Sequence, residues 1–323
     1  MSSYTIIGAG VAGLTVATAL HAQGADVAIY DPNGAPGEHC CSWWAGGMLA
    51  PWCEFENAEE PILRHGKRAL EWWKTHTTVE TNGTLVLAKG RDLPDLKRFS
   101  RRTEGFTEID QSRIQELEPD LGDYSHGLFF QDEAHLDPRA ALKTLSDNLL
   151  GNGIEITSEK APSDVKNPIY CTGFHAKSEL DNLRGVKGEM IIVKCPDITI
   201  SRPIRLLHPR IPIYIVPRSD QTYMIGATMI ESEDRTRFTA RSMLELLSAA
   251  YALHPAFGEA EILETGVDLR PALPDNVPRG IKTAGGLHIN GLYRHGFLMA
   301  PALAEAATKY LLHGTSSELI HAD

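Results

Sequence analysis

The chain opens on a short apolar run, residues 3–7, broken at once by a glycine-rich turn, and continues into a helical pattern with Leu14, Ala17, Thr18 and Leu20 on one side. Gly24 ends that pattern, and Val27-Ala28-Ile29-Tyr30 follows as a second short apolar run, the mark of a buried parallel strand. Residues 33–54 are rich in Gly, Pro and Cys and follow neither period, which predicts a long loop; such loops beside a ligand-binding turn are usually functional. Residues 57–76 have a helical period with Leu63, Leu70 and Trp73 inward, and residues 83–88 alternate as a strand. Asp110 opens a short helix that stops before Pro119. Asp137 followed by Pro138 is an N-cap with proline at N1, predicting a helix to Leu150 that Gly151 stops. Residues 154–156 read as a strand, and the apolar run 167–173 suits another strand of the same parallel sheet.

From Gly185 the pattern changes. Residues 190–193, 211–216, 222–226 and 261–267 are spaced strands with turn residues between them, which predicts an antiparallel sheet. One helix, residues 238–253, crosses it, capped by Thr239 and ended before His254-Pro255. A last helix, residues 298–312, carries Leu303, Ala307 and Tyr310 on one side. There is no internal repeat.

The glycine turn can be read mechanically. Gly8 makes the tight turn off the strand, Gly10 lets the backbone approach a pyrophosphate, and Gly13 lets the helix pack closely on the strand. The helix start then presents free N–H groups to the phosphates. Asp31 closes the second strand, 18 residues beyond Gly13. Its carboxylate can accept a hydrogen bond from a ribose hydroxyl, which argues against a 2′-phosphate and so against NADP. The expectation is an adenine dinucleotide; a glycine-rich turn in an unrelated α/β domain is the bland alternative.

Bulk properties narrow the partners. A chain of 323 residues makes one large or two ordinary domains. No apolar run approaches the ~18 residues that span a bilayer, so no membrane partner is expected. The chain leads straight into its first strand without a secretory signal, and a cytoplasmic protein is expected. A net charge of −11 without a dense Lys/Arg stripe is the wrong sign for nucleic acid, and Lys97, Arg98, Arg101 and Arg102 read as a solvated helix face. The five cysteines, with no C-x-x-C pair, read as reduced thiols, and no metal is expected.

At Ser42-Trp43-Trp44-Ala45-Gly46-Gly47-Met48-Leu49-Ala50-Pro51 the chain resembles the glycine oxidases of thiazole (thiamine) biosynthesis, in the flavin-dependent D-amino acid oxidase and sarcosine oxidase superfamily. Further segments agree in order: residues 185–189, Tyr214-Ile215-Val216-Pro217-Arg218, Gly226-Ala227-Thr228-Met229, Gly266-Val267-Asp268-Leu269-Arg270-Pro271, and residues 291–301. The resemblance covers nearly the whole chain. It implies an α/β fold in which a Rossmann-like FAD-binding domain (residues 1–76, 132–174 and 266–323) carries an α+β substrate domain with a large antiparallel sheet (residues 77–131 and 175–265).

By the same resemblance the cofactor is FAD, with Gly8, Gly10, Val11, Ala12 and Gly13 at the pyrophosphate turn and Asp31 and Pro32 at the adenosine. Cys41, Ser42, Gly46, Gly47 and Met48 would follow the ribityl chain and ring. Tyr293, Arg294, His295, Gly296 and Leu298 would bring the start of the last helix to the ring, where its dipole favours negative charge. Arg270 would clamp a substrate carboxylate bidentately, Tyr214 would donate a hydroxyl to the same group, Met229 would press on Cα, and Arg294 would border ring and substrate. The implied reaction is oxidative deamination of glycine or a similar small amino acid by O2, by hydride transfer from Cα, to an imine or glyoxylate, ammonia and H2O2. No side-chain base is required, so His208, His254, His288 and His295 read as structural. A homo-oligomer is expected.

Some readings stay open. Sarcosine, proline and small D-amino acids are alternative substrates, because one methyl in a pocket is worth only ~1–3 kcal/mol. An NAD-dependent dehydrogenase shares the opening fold, and a non-catalytic flavin-binding protein shares the motifs. Residues 157–167 are shorter and more polar than the family's hairpin, which leaves the adenine contact unassigned. Trp43-Trp44 replaces small residues and either narrows the pocket or packs the loop. Cys40-Cys41 points neither to a metal nor to a covalent flavin link.

Overall fold

The computed structural model describes residues 2–208 and 210–322. Ser3–Ile7 lies parallel to Asp26–Tyr30 on one side and to Pro168–Tyr170 on the other. Among the described residues this sheet reaches seven strands, adding Ile156–Thr157 at one edge and Gly286–Asn290, Arg279–Thr283 and Ile320–Ala322 at the other. Only the hairpin of Arg279–Thr283 with Gly286–Asn290 is antiparallel. Ala28 is exposed, so Asp26–Tyr30 alternates where a run buried on both faces was expected.

The first helix, Val11–Ala22, is sandwiched between this sheet and the last helix, Gly296–His313, with Pro138–Gly151 beside it. That is why Leu14, Val16, Ala17 and Leu20 are all fully buried and the helix lacks a polar stripe. The last helix begins two residues before the expected start. It also contains Pro301, which has no N–H to give the Phe297 carbonyl one turn back. The indole Nε1 of the fully buried Trp73 donates to that carbonyl instead, at 2.7 Å. Trp73→Phe keeps the packing but leaves the carbonyl unsatisfied, and is expected to cost about 1–3 kcal/mol, read as a lower thermal midpoint of the holoprotein.

The second sheet is built on the long strand Arg184–Lys194. Glu261–Ala272 pairs with its whole length on one side, and Thr222–Gly226 and Ile230–Glu231 pair with it on the other. The sheet continues through Ile213–Pro217, Ile204–Leu206, Thr84–Leu87, His126–Phe130 and Thr107–Asp110. It is antiparallel except where Ile204–Leu206 meets Thr84–Leu87. The helix Ala240–Leu253 crosses it, with the Thr239 hydroxyl accepting from the Ser242 N–H. Two apolar clusters cover the two faces of Thr84–Leu87, so all four residues are buried where alternation was expected.

Three further expectations are corrected. The boundary at residues 265/266 falls inside Glu261–Ala272, which stays hydrogen-bonded to Arg184–Lys194 through Ala272, so residues 266–272 belong to the antiparallel sheet. The helix expected over 57–76 is two short ones, Glu60–Gly66 and Ala69–Lys74, and Leu70 is only partly buried. The loop 33–54 contains a 3-10 turn, Cys41–Trp44, a short strand, Met48–Leu49, paired with Ala134–His135, and a helix, Pro51–Phe55. No helix among the described residues is long and apolar enough to cross a membrane.

Candidate active site

Between the two sheets lies a cavity of about 640 Å³, a size suited to a cofactor and a small substrate. At one end is the glycine turn. Gly8 has φ +106, and a Cβ there would overlap the Cys171 carbonyl oxygen; a Cβ on Gly13 would be driven into the Gly8 carbonyl oxygen. Gly13 therefore packs behind the turn, while Gly8, Gly10, Val11 and Ala12 form the wall. The Asp31 carboxylate accepts from the Ala9 N–H (2.9 Å) and the Asn33 N–H (3.0 Å), which aims it along the wall beside Pro32 with lone pairs to spare.

Two helix N-termini open onto this space. Neither Val11–Ala22 nor Gly296–His313 is capped by the side chain of its own N-cap residue, so first-turn N–H groups other than that of Val11 are left to serve a ligand. The Val11 N–H reaches the Ser42 hydroxyl at 3.1 Å, tying the loop to the first helix. Cys41, Ser42, Gly46, Gly47 and Met48 then line the cavity, and Arg218 holds the loop from behind by donating to the Gly46 carbonyl at 2.8 Å. Glycine cradle, anchored acid and uncapped helix ends together fit a dinucleotide. The two tryptophans divide the roles left open above: Trp44 lines the cavity, against Gly266, while Trp43 packs into the neighbouring core, and the Arg139 guanidinium lies over both rings.

The other end of the cavity gathers Arg270, Tyr214, Met229, Tyr293, Arg294, His295, Gly296 and Leu298. Arg270 donates to the Thr228 carbonyl at 3.0 Å, and among the described residues no carboxylate forms an ion pair with it. Burial lowers its pKa, as desolvation of a cation does. Met229 is 53% exposed at the mouth and accepts from the Tyr293 hydroxyl through its sulfur at 3.5 Å.

The Tyr214 hydroxyl donates to Glu54 Oε1 at 2.8 Å and accepts from Arg205 Nη1 at 2.6 Å, so in this structure its single proton is held by Glu54. Arg294 is likewise engaged, its Nε 2.7 Å from Glu54 Oε2. Glu54 itself escaped sequence reasoning, because it falls in the stretch read as loop; Pro51, a helix-start residue one turn before it, was the available signal. Burial pushes its carboxyl up, but Arg294, His295 and Arg205 outweigh burial and hold it at about 2.

Behind Glu54, the buried Glu133 accepts from the Cys53 N–H at 2.7 Å and fixes the Pro51–Phe55 helix. Burial and the neighbouring Glu54 push its carboxyl up to about 8, so it is protonated at neutral pH. A raised acid pKa means that the folded state binds the extra proton, and stability falls as pH rises from the ordinary carboxyl range through 8. Glu133→Gln is therefore expected to match wild type near pH 5 and to melt at least about 2 °C higher above pH 8, checked by thermal unfolding across pH.

His254 Nδ1 accepts from the Ala256 N–H, His208 Nδ1 from Arg210 and Ile211, and His288 stacks on Tyr170. His295 is buried in the cavity wall, and burial lowers its pKa to about 4.

Residues 3–310 match the DAO family model, described as FAD dependent oxidoreductase. A Rhizobium etli protein named as a thiamine biosynthesis oxidoreductase, ThiO, is 52% identical over 311 residues, covering 94% of this chain and 95% of that one. In fold, the chain is similar to the crystal structure of glycine oxidase from Geobacillus kaustophilus (TM-score 0.82, 20% identity, 99% of this chain and 97% of that one). It is equally similar to iminodiacetate oxidase from Chelativorans (TM-score 0.82, 23% identity, 98% and 96%).

Proposed function

The chain belongs to the DAO family of FAD-dependent oxidoreductases, and from that premise we propose that it oxidises glycine, or an amino acid of similar size, at the Cα–N bond. Two electrons and two protons leave the amino acid for O2, giving H2O2 and an imine, and water converts the imine to glyoxylate and ammonia. The similarity to ThiO over nearly the full length supports a place in the thiazole branch of thiamine biosynthesis.

FAD, when bound, supplies the acceptor for the Cα hydride and the route of those electrons to O2. The chain's own residues bind and orient. Gly8, Gly10, Val11 and Ala12 hold the pyrophosphate, Asp31 and Pro32 the adenosine, and Cys41 to Met48 with Tyr293 to Leu298 the ring end. Arg270 fixes the substrate carboxylate, and Trp44 and Met229 bound the space around Cα and restrict water. Two titratable groups beside Arg294 are poor bases at neutral pH. Glu54 is held at about 2 and His295 at about 4, so the amine gives its proton to water before the reaction.

The observation that carries this reading is the partly buried guanidinium of Arg270, which lines the cavity and has no carboxylate partner among the described residues. The test is anaerobic mixing of the FAD-loaded protein with glycine, sarcosine and D-alanine in turn. Rapid bleaching of the flavin absorbance by glycine is expected. Bleaching by another amine alone would replace the substrate, and no bleaching by any of the three would overturn the reading.

A further inference from the structure

We propose that Glu54 is a specificity-determining residue: by neutralising Arg294 it leaves the substrate end of the cavity with a single uncompensated cation and so restricts it to monocarboxylates, against amines bearing two carboxylates. The inference rests on the substrate end assigned above. It starts from the charges that line the cavity. Arg235 pairs with Asp268 at 3.1 Å, Arg205 with Glu56 at 3.4 Å, and Arg294 with Glu54 at 2.7 Å, while Glu233 is taken by Lys177. Asp31 lies at the far end on backbone N–H groups. Arg270 is the lining cation that, among the described residues, has no carboxylate partner.

Arg294 would otherwise be a second anion receptor beside the first. The Tyr293 N–H donates to the Pro271 carbonyl at 2.9 Å, so the residue next to Arg294 is tied to the residue next to Arg270, and both guanidiniums border one end of the cavity. Two such forks suit a substrate with two carboxylates. The iminodiacetate oxidase of similar fold bears the name of such a substrate. Here Glu54 occupies that role from within. It is 7% exposed and saturated by Arg294 and Tyr214, so a second substrate carboxylate meets a resident anion where it needs a free cation. The group stays ionised across the working pH range, which makes the exclusion permanent.

The test uses the FAD-loaded protein and two ligands with no C–N bond to oxidise: acetate, and diglycolate, the oxygen-bridged counterpart of iminodiacetate. Binding is read from the perturbation of flavin absorbance. Wild type is expected to bind acetate more tightly than diglycolate. Glu54→Gln is expected to shift the ratio of the two dissociation constants toward diglycolate by about tenfold or more. Adding Arg294→Gln to that variant should abolish the shift. Arg294→Gln alone, which strands the carboxylate of Glu54, should weaken acetate by about tenfold and serves if Glu54→Gln fails to fold. An unchanged ratio in Glu54→Gln, a shift that survives in the double variant, or acetate binding untouched by Arg294→Gln would overturn the proposal. Because neither ligand is turned over, failure of glycine to bleach the wild-type flavin is a separate outcome, which sinks the glycine reading alone.

Discussion

Replacing Arg270 by alanine is expected to raise KM for glycine by about 100-fold or more while the flavin spectrum stays that of wild type. The size follows from what is removed. The guanidinium is partly buried in the cavity wall, its pKa is lowered by desolvation, and no carboxylate among the described residues pairs with it. A substrate carboxylate entering that space gains a charge-assisted, bidentate partner, and loses it entirely in the variant. The cofactor should be unaffected, since Arg270 lies at the substrate end of the cavity, with its guanidinium held on the Thr228 carbonyl. Steady-state kinetics with the visible spectrum decide the matter: an unaltered KM, or loss of FAD, would contradict the role.

The second large effect concerns the cofactor. Gly13→Ala is expected to yield protein that purifies colourless and regains little flavin on titration with FAD. The new methyl would overlap the Gly8 carbonyl oxygen, and Gly8 cannot retreat because the space on its own far side is filled by the Cys171 carbonyl. The first helix would have to lift off the sheet, carrying the Val11 N–H away from Ser42. Gly24→Ala is the control. Gly24 has positive φ, at +76, but nothing lies within 4 Å of a Cβ there, so that variant should pay only the local strain of about 1–2 kcal/mol and stay yellow. A yellow Gly13→Ala protein with wild-type FAD affinity would overturn the account.

How much was legible in the chain depends on how local the cause is. The opening βαβ unit was readable because steric demands within a dozen residues select its glycines. The caps at Asp137 and Thr239 were readable for the same reason, and both side chains accept the expected backbone N–H groups. The strands Ile204–Leu206, Thr107–Asp110 and His126–Phe130 were missed because pairing with distant partners, not their own short patterns, defines them. The site divides in the same way. Arg270 could be located from its motif, but the fate of the Tyr214 proton is settled by Glu54 and Arg205, which come from other elements. Residue type was legible at 214; its hydrogen-bond partner was not.

The cavity also has a history in synthesis. Gly296 packs beside Val11, so the two uncapped helix starts that frame the proposed cofactor site come from opposite ends of the chain. A nascent chain on the ribosome can fold its opening strand and helix early, but it has only half a cradle until the last helix emerges. Cofactor capture on this assignment is a late event that waits for nearly the whole protein. A chain ending before residue 296 should remain colourless, however well its first sheet is formed.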